Sequence, residues 1–401
     1  MRTFTLRLLL LAALWLPTAS GLQARDLRDP AFVARAQEGF AHIFNQDYAP
    51  ARALFLGLER DYPGHPAPPL YLASIHWLEE MMRRQDLTLG RFVSAAYFAG
   101  KTDLAMPERE RDAFLGAISK SESRAAAILA QAPGDRDARY FAASAAGMRA
   151  SFAVTIDHSL REAFRSGRKA FTLTRDLIRE DPAYHDAYLI TGVYEYIAGS
   201  LPWYLKWMAA VLGMGGDRGR GFDQVRVASE RGAVVRNEAT LVRMVLEVRE
   251  GRYGRGLELA RALHADYPRN FLLALSVAQI EQLAGMRDEA ARTFLEIERR
   301  AEQRQPNYDR IPLREFRCSL ATQLMYMEHH DLAAARFRSC LADPLTGPAE
   351  RAQAHLSLGK IHLWLHRPEE AARELRTVLS LADTEGSHRQ ARELLKRLEK
   401  R

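Results

Sequence analysis

Apolar residues recur along this chain at the three-and-four spacing of helices buried on one face. No run of alternating apolar residues bounded by turn signals predicts a strand. The fold class that follows is all-α. Two segments within the pattern share one shape, Glu250-Gly-Arg-Tyr-Gly-Arg-Gly-Leu257 and Ala284-Gly-Met-Arg-Asp-Glu-Ala-Ala291. They put Gly251 and Gly285 at equivalent turns, and Gly256 and Ala290 at equivalent points of close helix contact, each pair offset by 34 residues.

Regular helix-turn-helix units are predicted at 237–268 and 271–297, with an earlier one at 32–63. In that first unit Gly39 marks the helix contact, Tyr48 closes the turn, and Ala51 and Phe55 face inward. Asp61-Tyr62-Pro63, Asp266-Tyr267-Pro268 and Asp181-Pro182 read as helix stops of one kind, because proline cannot continue a helix and restricts the residue before it. Between 65 and 181 the pattern stays helical but loses its period: 70–82 and 92–98 are apolar, 108–124 is a charged, solvent-facing helix, and 137–154 with 160–178 make a long hairpin. A loop at 303–312 precedes a hairpin carrying the two cysteines, then a last unit at 352–381 and a charged terminal helix at 388–401. Three regions result: 1–24, an irregular region 25–236 interrupted at 201–222, and regular repeats over 237–401 closed by a polar capping helix.

A helix-turn-helix period of this length resembles the tetratricopeptide repeat family. The resemblance implies an α-α superhelix, a solenoid whose surfaces hold protein or peptide partners and which carries out no reaction of its own.

The first 24 residues have a basic start at Arg2 and Arg7, an apolar core at 8–16 and a small-residue exit, the pattern of a secretory signal peptide. Processing is expected after Ser20, Gly21 or Ala24, with Ala24 preferred; an uncleaved N-terminal helix is the alternative. No cysteine lies nearby for lipid attachment. A periplasmic or secreted location follows as an expectation. The formal charge is +7, with fifty arginines against seven lysines, but acidic residues are interspersed almost throughout. No concentrated basic stripe marks a nucleic-acid partner. Cys318 and Cys340 fall at similar heights on the two arms of one hairpin, which leaves open a disulfide, permitted by an oxidising compartment, or two buried thiols.

The least generic stretch begins Leu201-Pro-Trp-Tyr-Leu-Lys-Trp-Met and ends in the glycine-rich 214–221. Its Leu201-Pro202, Trp203, Trp207, Leu212-Gly213, Gly216-Asp217-Arg218 and Gly221-Phe222 resemble a motif of the tetratricopeptide repeat 39 family, which includes inclusion-clearance proteins and bacterial relatives. The resemblance spans roughly 181–300 and implies a helical-repeat protein with no catalytic residues to carry over; the leader departs from that family's intracellular setting. For Trp203, Tyr204 and Trp207 three roles compete: core packing, a partner-binding or dimerising plug, and contact with a membrane surface, for which the single lysine supplies little attraction. The glycines read as a flexible turn into a helix, since a phosphate loop would need Gly-Lys-Ser/Thr.

Neither a zinc-protease His-Glu-x-x-His nor a Gly-x-Ser-x-Gly elbow occurs, and no cofactor is expected. His355, His362 and His366 fit one helical face, but no acidic ligand accompanies them; His329-His330 reads as a solvated turn. In a stack of this kind the first helix of each repeat lines the inner side. That register selects Arg249, Gln279, Gln282, Lys360 and Trp364 as partner-binding positions suited to an extended acidic or C-terminal segment. The expected function is an exported scaffold for protein–protein contacts, of unassigned oligomeric state. The rivals are a cell-envelope enzyme or accessory subunit, for instance acting on peptidoglycan, and a membrane-surface factor.

Overall fold

The computed structural model describes residues 29–93, 104–200, 215–384 and 386–399. The chain opens with α1 (Pro30–Phe44), α2 (Tyr48–Asp61), α3 (Ala67–Arg83) and a short α4 (Leu89–Val93). Longer helices follow: α5 (Glu108–Gln131), α6 (Arg136–Thr155), α7 (Leu160–Glu180) and α8 (Ala187–Ser200). Next come α9 (Arg218–Arg231), α10 (Arg236–Arg249), α11 (Tyr253–Asp266), α12 (Phe271–Leu283) and α13 (Arg287–Glu302). A 3-10 turn (Tyr308–Arg310) leads to α14 (Leu313–Tyr326), α15 (His330–Ala342), α16 (Pro348–Trp364), α17 (Pro368–Ser380) and α18 (Ser387–Leu398). Consecutive helices pack antiparallel into hairpins, no strand occurs among the described residues, and the fold is an all-α, tetratricopeptide-like solenoid.

One turn builds the hairpins. At Gly251 and Gly285 the backbone is left-handed (φ +72° and +76°), and the next residue's N–H reaches back to the last helical turn, Arg252 to Glu247 O at 2.8 Å and Met286 to Glu281 O at 2.9 Å. This is the Schellman closure of a helix end. Gln46, Gln85, Glu328 and His366 make the same turn without glycine, with Asp47 donating to His42 O, Asp86 to Met81 O, His329 to Leu324 O and Arg367 to His362 O at 2.8–3.0 Å. The left-handed conformation costs a residue with a Cβ about 1–2 kcal/mol, so packing rather than local preference holds these four turns.

The Asp-Tyr-Pro stops have a second role. Tyr62 donates to Asp29, the N-cap of its own hairpin, at 2.8 Å, and Tyr267 accepts from Asn237 in the first turn of α10 at 2.5 Å. Tyr184, just past Asp181-Pro182, donates to Asp137 in the first turn of α6 at 2.5 Å. Each tyrosine ties the end of a hairpin to its beginning.

The superhelix closes on itself, which the sequence pattern did not indicate. The α1–α2 turn is received by residues from the α11–α14 connections: Asn270 donates to Phe44 O at 2.7 Å, Asn307 to Asn45 O at 2.5 Å and Arg310 to Gln46 O at 3.0 Å. Asp47 pairs with Arg269 and accepts from Asn307 at 2.9 Å, and Phe44 stacks on Tyr267 with ring centroids 4.9 Å apart. Nearby, α4 lies against α10 and α12, with Leu89 buried among Met244, Val248, Val277 and Ile280. Packing therefore runs across residue 236, where the sequence placed a change of region.

Inside the closed part, Asp186 caps the turn into α10 by accepting from Ala233 N–H at 2.8 Å and Val234 N–H at 3.0 Å. Glu238, on α10, is half-buried; its removal from water, with a smaller contribution from the charge of Asp186, pushes its carboxyl up to about 7. A raised carboxyl keeps its proton in the folded chain after the unfolded chain has lost it. Its contribution to stability is thus full below about pH 4.5 and declines as pH rises through 7. Between pH 5 and 8, urea unfolding should show the native chain losing up to about 3 kcal/mol relative to Glu238→Gln. Parallel pH profiles for the two would contradict this.

Candidate interaction surface

The sequence-selected positions do not form one free groove. Arg249 lies over the Tyr196 ring, 5.9 Å from its centroid. Gln282 donates to Gln323 at 2.8 Å, bridging α12 to α14, and Lys360 donates to Gln390 at 3.0 Å, bridging α16 to α18. Burial pulls the Lys360 ammonium below the usual lysine range. Gln279 is half-buried on α12, the helix against which α4 packs. Trp364 is 51% exposed and stacks on His330, ring centroids 4.9 Å apart, so His330 is half-covered rather than solvated. Trp203, Tyr204 and Trp207 lie outside the described residues, as does the 1–24 leader.

A different set emerges from the turn register. Leu283, Tyr326 and Trp364 each stand two residues before a left-handed turn residue, Gly285, Glu328 and His366, at the C-terminal ends of α12, α14 and α16. They are 47%, 68% and 51% exposed, so successive hairpins present a large apolar side chain at one equivalent place. Arg249 and Arg83 hold this position before Gly251 and Gln85. In the first hairpin it is Phe44, which is buried against Tyr267 by the closure. Between the turns that follow Leu283 and Tyr326 lies a shallow cleft of about 480 Å³, lined by Gly285–Glu289 and Met327–His329. Its rim is charged with both signs, with Arg287 on Glu328 at 2.7 Å and His329 beside Asp288 at 3.3 Å. Sequence reasoning found Trp364 but missed Leu283 and Tyr326: Leu283 falls outside the inner-helix register that was read, and the turn after Tyr326 is made by Glu328, which no glycine announces.

The glycine-rich interruption is packing where it is described. Gly221 sits so close to α8 that a Cβ would lie 2.7 Å from Gly192 O, and a Cβ on Gly192 would lie 2.8 Å from Gly221 O. Asp217 caps α9 by accepting from Arg220 N–H at 2.6 Å. The buried Glu195 carboxylate receives Asp217 N–H at 2.8 Å and the Arg220 guanidinium at 2.7 and 2.8 Å. Arg218 and Tyr196 both donate to Glu250, at 2.6 and 2.8 Å. Burial favours the neutral form of Glu250, yet these two hydrogen bonds, with the charges of Arg218 and Arg252, outweigh it and hold the carboxyl below its ordinary range. Arg252 in turn covers Phe222, 4.1 Å from the ring centroid. Gly216-Asp217-Arg218 and Gly221-Phe222 are thus all engaged in joining α8, α9 and the α10–α11 turn.

The remaining candidates resolve separately. His355 bonds Glu374 at 2.6 Å, His362 is buried, and His366 is a turn residue; no three metal-ligating side chains come together among the described residues. Cys318 on α14 and Cys340 on α15 are joined as a disulfide, with Cα atoms 5.3 Å apart. No described helix is long and apolar enough to cross a membrane.

The chain matches no protein-family model. It matches no curated protein. Solved structures similar to it include a tetratricopeptide repeat protein from Parabacteroides merdae, at 14% identity over 92% of this chain and 100% of that one, TM-score 0.27. Human IFIT1 as a dimer with m7Gppp-AAAA is similar at 12% identity over 94% and 87%, TM-score 0.38. Yeast Tom70 is similar at 14% over 92% and 89%, TM-score 0.31. None of these overlaps is close enough to transfer a ligand or a partner to this chain.

The packing account of the glycines makes a direct prediction. Gly221→Ala should destabilise the fold by about 1–3 kcal/mol in urea unfolding, because the new methyl would meet the α8 backbone at Gly192 and Tyr196. Gly219→Ala, in the same helical turn but with the nearest neighbour 3.4 Å from where its Cβ would lie, should be neutral or stabilising. Equal effects at the two sites would contradict the close-contact reading.

Proposed function

We propose that this protein is a binding scaffold whose docking surface is the row Leu283, Tyr326 and Trp364, and that its partner is a protein segment presenting apolar side chains. The observation that carries the reading is the repetition: consecutive hairpins leave a large apolar group exposed at one equivalent position. The first hairpin supplies an internal precedent, since the residue at that position, Phe44, is already a docking element covered by Tyr267. Apolar and aromatic anchors within a mixed-charge rim suit recognition of a partner. We further propose that the chain acts outside the cytoplasm, supported by the leader-like pattern at 1–24 and by the pairing of Cys318 with Cys340.

Crosslinking in the native host, followed by mass spectrometry, tests the reading. The native chain should capture a protein partner, and Tyr326→Ser combined with Trp364→Ser should lower that capture at least about tenfold, since exposed aromatic anchors of this kind are worth on the order of 1–2 kcal/mol each. Capture unaffected by the double substitution, or recovery of only a sugar or lipid, would overturn it.

A further inference from the structure

A second exposed apolar surface lies away from the row, on the α7–α8 hairpin. Leu160 and Phe164 are exposed one turn apart at the start of α7. The helices run antiparallel, with Phe171 stacked on Tyr194 at 4.3 Å and Gly167 against the Tyr194 ring. Ile197, one turn beyond Tyr194 on α8, is exposed as well. Beside these side chains the first half of α7 carries Arg161, Arg165, Arg168 and Lys169, all exposed, against a single acid, Glu162. Glu162 is taken up by Arg165 at 3.1 Å, and Lys169 reaches Glu122 at 3.4 Å.

We propose that this surface docks on an anionic lipid bilayer. Apolar side chains flanked by cations at one exposed helix end match an interface that is planar, negatively charged outside and apolar beneath.

The test is co-sedimentation of the full chain with vesicles of phosphatidylglycerol and phosphatidylcholine in equal parts, and with phosphatidylcholine alone. Binding is expected to the anionic vesicles only, and to fall at least about fivefold from low to high salt as the charges are screened. Leu160→Ser with Phe164→Ser, and separately Arg161→Glu with Arg165→Glu, should each lower it about tenfold with helix content unchanged. The charge pair keeps the proposal testable if the apolar pair fails to fold. No binding to anionic vesicles, binding unaltered in both variants, or binding of an acidic protein through this face without binding of vesicles would each overturn it.

Discussion

The structure depends on how one helix end is completed. The last carbonyls of any α-helix have no partner within the helix, and burying them unpaired costs about 1–3 kcal/mol each. At the end of α1, the carbonyls of Phe44, Asn45 and Gln46 are met by Asn270, Asn307 and Arg310, drawn from loops more than half the chain away. The cations Arg269 and Arg310 also stand where the helix dipole is negative. A stack that would otherwise remain open thereby becomes a coil whose first turn is fixed to its later repeats.

That closure decides which surfaces are free. It brings α4 against α10 and α12 and covers Phe44, so the inner polar side near Gln279 is partly taken up by the chain itself. The equivalent position remains uncovered in the later hairpins, where Leu283, Tyr326 and Trp364 stand exposed. One structural position is thus used intramolecularly at the start of the chain and left available further along.

The helices were legible in the sequence because their apolar spacing and their proline and aspartate stops are local signals, and those at α1–α2, α10–α11 and α12–α13 fall where the pattern placed them. The period was legible only where glycine occupies the left-handed turn, at Gly251 and Gly285; Gln46, Gln85, Glu328 and His366 adopt the same geometry with no residue that announces it. The closure was hidden for a different reason. Asn307 and Arg310 lie in a stretch that reads as linker, and their partners are backbone carbonyls, which carry no sequence signature. The glycine-rich motif was conspicuous, but its spacing alone could not separate a flexible turn from helices in direct backbone contact. Gly221 over Gly192 settles that in favour of contact.

Hydrogen exchange read by mass spectrometry tests the closure most directly, comparing the native chain with Asn307→Ala combined with Asp47→Ala. If the α1–α2 turn and the 268–311 loops hold one another, amides at both places should lose protection together, while those of α16 and α17 keep theirs. Loss confined to one of the two places, with the other as protected as before, would contradict a closed superhelix.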